Sequence, residues 1–311
     1  MRATTIAYLA FALLALAVPL LGIYPVLAMQ LLCFGMFACA FNLLLGFAGM
    51  LSFGHAAFFG FSAYVTSWLI TAHGWNTVES IVAGVVVAAL MGLVIGAIAI
   101  RRQGIYFAMI TLALAQLVYF LCLQAPFTGG ENGIQGVKRG SLFGLVSLRS
   151  DVTMYYFVLA AFVAVFLLIR RIVHSPYGQV LKAIRENEPR AVSLGYEVDR
   201  YKLLAFVLSA AISGLAGSLK ALTLGLASLT DVLQGTSGEV ILMTLLGGTG
   251  TFFGPVLGAF TVIGLQNLLA DRVGSWVSVI IGAIFVVCVV AFRRGFVGEL
   301  LAWQARRKGK A

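Results

Sequence analysis

Apolar and polar positions fall into long blocks along the chain. Ten apolar runs stand out, at roughly residues 6–22, 26–45, 51–71, 78–100, 104–123, 152–169, 203–224, 237–250, 255–270 and 274–292. A hydrocarbon core of about 30 Å needs roughly 20 apolar residues per helix. Backbone polar groups cannot be left unsatisfied in lipid, and the weakly alternating segments of roughly ten residues that mark a barrel are absent. The pattern predicts an all-α, polytopic membrane helix bundle of about ten transmembrane helices, forming one transmembrane domain over residues 1–311. The run at 237–250 is short and bounded by glycine, which leaves a re-entrant or broken helix open there. Arg2 followed by Ile6 to Leu21 reads as an uncleaved first helix, because further apolar runs follow it.

One segment breaks this pattern most strongly. Residues 174–202 carry Lys182, Arg185, Glu186, Glu188, Arg190, Glu197, Asp199, Arg200 and Lys202 between two apolar runs. Ser175 before Pro176 predicts an N-cap with proline at the first helical position. Pro189 opens a second, very short helix, which Gly195 closes in the left-handed conformation. Such a helix is too short to persist alone in water, so it is expected to dock into a soluble partner. The docking residues expected from this pattern are Arg185, Glu186, Asn187, Glu188, Pro189, Arg190, Ala191, Leu194 and Gly195. The charged flanks would set the register, while Ala191 and Leu194 enter a groove.

Composition supports the membrane reading. The chain is 61% hydrophobic and 10% charged, with a mean hydropathy of +1.02, whereas a soluble domain is about 45–50% apolar and about 25% charged. The net charge of +10 does not point to nucleic acid, because the basic residues sit at the ends of apolar runs. With the N-terminus inside, one side collects Arg2, Arg101, Arg102, Arg170, Arg171, Lys182, Arg185, Arg190, Arg200, Lys202, Arg293, Arg294, Arg306, Arg307, Lys308 and Lys310. That is 16 of the 21 Lys and Arg. The positive-inside rule then places both termini and the 174–202 loop in the cytoplasm. Lys138, Arg139, Arg149 and Arg272 stay outside, with Lys220 near the outer end of its run. Cys33, Cys39, Cys122 and Cys288 lie inside apolar runs without metal-ligand spacing and read as small buried hydrophobes.

Candidate chemistry is sparse. No GxxxxGK[ST] phosphate loop is present, so the chain is not expected to hydrolyse ATP. Glu79, Asp231, Glu239 and Asp271 fall near the outer ends of runs, leaving almost no ionisable group in the span interiors. A gradient-driven carrier usually needs such groups, so energy is expected from outside the chain. A membrane-embedded enzyme is disfavoured because no acid–base or metal constellation can be assembled. An autonomous carrier or channel and a non-transporting assembly subunit are the remaining alternatives. Two glycine-rich stretches resemble each other, Gly46 to His55 and Gly247 to Pro255. Each follows Leu-Leu, and such interruptions in corresponding positions mark transport pathways or simply tight turns. Asn42, Ser52, His55, Tyr64, Gln116 and Asn267 are polar side chains at or within spans, candidates for lining a path or for interhelical hydrogen bonding. His55 by itself reads as a helix-end hydrogen-bonding group. Ala205, Ser209, Ser213 and Gly217, with Gly92–Gly96 and Gly254–Gly258, form ridges that allow close helix packing. The loop 124–151, with Thr128-Gly-Gly130-Glu-Asn132-Gly133, is either a solvated turn or a contact for an extracytoplasmic partner.

In combination these stretches resemble a known family. Asn42 to Gly60, the Thr128-Gly-Gly130 loop, Ala183 to Gly195, Tyr201 to Phe206 and Gly247 to Gly258 are similar to the LivM-type permease subunits of bacterial branched-chain amino acid ABC importers. The resemblance covers most of residues 40–270. It implies a type II-like ABC importer permease fold in the bacterial cytoplasmic (inner) membrane. It also implies a LivH-type sister permease, two ABC ATPase subunits that carry the ATP and Mg, and an extracytoplasmic solute-binding protein. No cofactor is expected on this chain. Many ABC permeases dock their ATPase through a Glu-Ala-Ala…Gly loop; here Pro189-Arg190-Ala191 stands in that place, with Gly195 kept. Related permeases carry urea, short-chain amides or other amino acids, so these remain alternatives to a branched-chain cargo.

Overall fold

The computed structural model describes residues 24–142 and 146–273, with a few isolated positions between 279 and 295. The expected run at 6–22 and Cys288 therefore lie outside the described residues, and the run at 274–292 is described only at isolated positions. Each of the other eight runs is a helix. They are α1 (Pro25–Asn42), α2 (His55–His73), α3 (Thr77–Ala99), α4 (Ile105–Gln124), α5 (Asp151–His174), α8 (Val198–Leu224), α9 (Gln234–Gly247) and α10 (Gly254–Val273). Between α5 and α8 lie α6 (Pro176–Glu186) and α7 (Glu188–Ser193). A π-helical turn, Leu43–Phe47, extends α1. Counting that turn, five helices among the described residues are long and apolar enough to cross a membrane: Pro25–Phe47, α3, α4, α5 and α8. The chain is a multi-pass helical membrane bundle. α8 begins at Val198, inside the polar segment and ahead of the apolar run that announced it.

Burial separates an inner set of helices from an outer set. The most apolar windows of Pro25–Phe47 and α8 are 72% and 67% buried, against 33% for α3 and α4. α8 packs on α1, α2 and α3, while α5 and α10 pack on α1. α3 shows why the outer helices suit lipid. Gly84, Ala88, Gly92 and Gly96 face inward, whereas Val82, Val86, Leu90, Leu93, Val94 and Ile98 are exposed. Small residues permit close helix approach where apolar lipid supplies no drive for association. The ridge on α8 works the same way. A Cβ at Gly217 would sit 1.9 Å from the Phe59 carbonyl oxygen of α2, so only glycine fits that crossing. Hydroxyl groups add directional bonds between the same helices. Ser218 lies 2.7 Å from the Ser62 hydroxyl and 2.8 Å from that of Thr66, and Ser62 donates to the Gly214 carbonyl. Cys33, Cys39 and Cys122 are buried and free, as expected of small apolar groups.

The end of the bundle formed by residues 125–150 and 225–233 is tied down rather than loosely solvated. Two-residue strands β1 (Ile134–Gln135) and β4 (Leu226–Ala227) pair antiparallel, with Ile134 opposite Ala227. β2 (Ser141–Leu142) and β3 (Val146–Ser147) form a second small ladder. Arg139 donates to the Leu222 and Thr223 carbonyls at the C-terminus of α8 and pairs with Asp151, a favourable place for a cation. Lys220 and Asp231 lie near this end of α8, as expected, but they are buried. Their side chains are 8% and 7% exposed and meet at 2.6 Å, so an ion pair is sealed inside the protein at the last turns of α8.

Two stability predictions follow from this packing. Gly217→Ala should destabilise the protein by about 1–3 kcal/mol through overpacking, whereas Gly264→Ala, which meets open space, should leave the melting temperature in detergent nearly unchanged. Lys220→Met should cost about 3–5 kcal/mol by leaving Asp231 charged and unpaired. Adding Asp231→Leu should recover most of that loss in the same melting experiment.

Candidate functional site

The polar segment folds into an arm whose ends are set by local chemistry. Ser175 caps α6 by accepting from the Gly178 N–H at 3.3 Å, with Pro176 at the first turn. Asn187 leaves the helical region at φ −156° and stops α6. Its Oδ1 then accepts from the Arg190 N–H at 3.1 Å and caps α7. Gly195, at φ +86°, closes α7. Its N–H reaches the Val192 carbonyl and that of Tyr196 reaches Ala191, the paired bonds of a Schellman motif.

The inner face of the arm is packed and ion-paired. Ile184, Ala191 and Val198 form a small apolar cluster with Val180 and Tyr201. Glu188 meets the largely buried Lys202 of α8 at 2.6 Å and accepts from Gln103 of the α3–α4 turn at 2.8 Å. The Tyr177 hydroxyl donates to the Tyr201 carbonyl, and the two rings stack at 5.6 Å. Burial first, and then Tyr201, push the Tyr177 phenol pKa well above its ordinary value.

This geometry sorts the nine residues expected to dock. Arg185, Asn187, Glu188 and Ala191 have roles within the chain; Ala191 is 2% exposed against its own cluster. Glu186 and Arg190 point outward, and Pro189 and Gly195 shape the short helix. The most exposed apolar side chains of the arm are Leu194 and, unforeseen in the sequence, Val192, at 68% and 57%. Ala191, expected outward, is instead turned into the protein.

Arg185 leads from the arm to the two glycine-rich stretches. Its Nη1 donates to the Gly46 carbonyl, at the end of the π-helical turn. The second stretch lies against the same place. Asn42 Oδ1 accepts from the Gly250 N–H and Asn42 Nδ2 donates to the Thr251 carbonyl, both at 2.9 Å. A Cβ on Gly46 would sit 2.6 Å from the Gly250 nitrogen, so the two breaks touch backbone to backbone. Phe252 completes the contact, 5.5 Å from the Phe47 ring and stacked at 5.2 Å on His174.

The six candidate path residues divide in the same way. Asn42 clamps the breaks. Ser52 accepts from the Gly54 N–H at 3.2 Å and shapes the entry to α2. His55 is buried among the edges of Phe41, Phe58 and Phe206, with Nε2 2.8 Å from the Ser209 hydroxyl. Ser209 gives its own proton to the Ala40 carbonyl, so Nε2 is the nitrogen that donates. These three gather at the first break. Tyr64 is fully buried on α2, and its hydroxyl has no partner among the described residues. Gln116 is half-buried on α4. Asn267 is exposed on α10 and bonds back to the Ile263 carbonyl. The structure does not bring these last three together. Lys202 was visible in the sequence only as the last charge of the polar segment and Ser209 only as a member of the small-residue ridge, while Gln103 had no signal.

Hydrogen bonds, an ion pair and ring contacts hold this arrangement together. Among the described residues no group of three His, Cys, Asp or Glu is placed to hold a metal. What it offers is a mechanical link, from an exposed arm through one guanidinium to two broken helices.

The chain is similar to several known proteins. The LivM permease protein of the high-affinity branched-chain amino acid transport system of Escherichia coli is 30% identical over 253 residues, 74% of this chain and 60% of that protein. The chain thus spans about 60% of the length of that relative. The probable LivM permease of Methanocaldococcus jannaschii is 26% identical over 78% of this chain and 81% of its own. The LivH permease protein of Escherichia coli is 23% identical over 86% of this chain and 91% of its own. Residues 23–289 match the family described as the permease component of branched-chain amino acid transport systems, and with the helical bundle already in view, this chain belongs to that family.

Proposed function

We propose that the chain is the LivM-type permease subunit of an ATP-driven ABC importer that moves branched-chain amino acids into the cytoplasm. It would act as one permease domain in the bacterial cytoplasmic membrane, with both termini and the 174–202 arm in the cytoplasm and the 124–151 loop outside. Its partners would be a LivH-type sister permease, two ABC ATPase subunits and an extracytoplasmic solute-binding protein. ATP and Mg would sit on the ATPases, and this chain would need no cofactor of its own. The relatives' names and the one-sided distribution of Lys and Arg support these assignments.

The observation that carries the reading is the bond from Arg185 to Gly46. An ATPase that grips Val192 and Leu194 moves α7. Asn187 and the Glu188–Lys202 pair make α6, α7 and the start of α8 move together. Arg185 then passes the displacement to Gly46, and through Asn42 to Gly250 and Thr251. Both interruptions shift at once, and the helices they break open or close a route between them. Glu186 and Arg190, exposed on the arm, supply the polar rim of such an interface.

The predictions separate docking from transmission. Val192→Asp with Leu194→Asp should weaken ATPase retention by roughly 30-fold, the effect of losing a small hot spot. Co-purification of the ATPases at wild-type yield would defeat the docking claim. Arg185→Ala should keep the ATPases bound while solute uptake into proteoliposomes falls about tenfold, the scale of one charge-assisted hydrogen bond. Unchanged uptake per ATP hydrolysed would remove Arg185 from the transmission route.

A further inference from the structure

A cavity of about 600 Å³ lies between the arm and the bundle, within the ~300–1,000 Å³ usual for small-molecule sites. Its floor is apolar and buried: Met50, Ile100, Phe107 and Ile184 are 8% exposed or less. Its rim is cationic. Arg102 of the α3–α4 turn and Arg185 of the arm both line it and are exposed, and neither belongs to an ion pair found among the described residues; Arg185 Nη1 donates to the Gly46 carbonyl, which leaves its other N–H groups for a ligand. The other two charges lining it, Glu188 and Lys202, neutralise each other at 2.6 Å. Two arginines without a carboxylate partner and an apolar floor thus line the same cavity.

We infer that this cavity binds a small carboxylate with an apolar body, the carboxylate held between Arg102 and Arg185 and the body resting on Met50 and Phe107. Guanidinium forks suit carboxylate geometry, and a short aliphatic chain matches the floor. Two sources share this chemistry: the branched-chain amino acid delivered to the cytoplasm, and a short fatty acid. The cytoplasmic position of the site rests on the transport reading above. The consequence is regulatory. Arg185 belongs to the moving arm and Arg102 to the α3–α4 turn of the bundle, so a bound carboxylate would brace one against the other. Accumulated product would thereby slow its own import.

The test uses the assembled permease–ATPase complex without its solute-binding protein, dialysed against radiolabelled leucine and, separately, hexanoate. Saturable binding of at least one probe is expected. Arg102→Ala should weaken it about tenfold, as for loss of one charge-assisted contact, and Ala108→Phe, which fills the cavity from α4, should abolish it. Leucine binding alone would name the cargo as the source, and binding of both probes would name any short carboxylate. In nanodiscs carrying the full importer, hexanoate should lower solute-stimulated hydrolysis about fivefold, an ordinary coupling between sites, and should not do so in Arg102→Ala. Absence of saturable binding overturns the inference. Binding indifferent to both substitutions, or binding seen only after the ATPases are stripped away, overturns it as well. If the wild-type importer shows no solute-stimulated hydrolysis, the transport reading fails, while the dialysis result still decides the site.

Discussion

Helix ends leave backbone donors and acceptors without intrahelical partners, and those that are buried must find partners elsewhere; this constraint organises the molecule. Here the two interruptions satisfy each other through one side chain. Asn42 supplies an acceptor to Gly250 and a donor to Thr251, standing in for the helical bonds lost at the second break. Arg185 covers the Gly46 carbonyl at the first. The arm must lie where it does because its arginine is part of the solution.

The remaining packing keeps this junction in place. α8 runs through the bundle with a small-residue ridge, and the hydroxyls of Ser62, Thr66 and Ser218 bind α2 to it. α3 turns its glycines inward and its valines and leucines outward, the reverse of a soluble helix. The loops at the opposite end are fastened by Arg139 and by the β1–β4 ladder, so both ends of the bundle have a defined geometry.

Much of this was legible in the sequence. Run lengths located the helices to within a few residues, because an apolar stretch in lipid has no other way to satisfy its backbone. Ser175, Pro176 and Gly195 announced the ends of the arm, since caps are local chemistry. The likeness of the two glycine-rich stretches was visible, but not their contact, which brings together residues about 200 positions apart. The inner and outer faces of α7 were not legible. Six residues are too few for a hydrophobic period, so Ala191 was assigned outward and Val192 overlooked. Lys220 and Asp231 were read only as charges near the outer ends of their runs; the folded turn 229–231 shows that they face each other. Among the path candidates, Asn42 and His55 carried the signal of buried polar groups. That signal did not distinguish a group that meets a solute from one that meets backbone.

α8 has 27 residues and is therefore about 40 Å long. A lysine is anchored near each of its ends, Lys202 to the arm and Lys220 to the turn that continues from β4. No glycine break divides the helix between them. It is one stiff rod held at both tips, so a tilt imposed at either membrane face arrives at the other without passing through any loop.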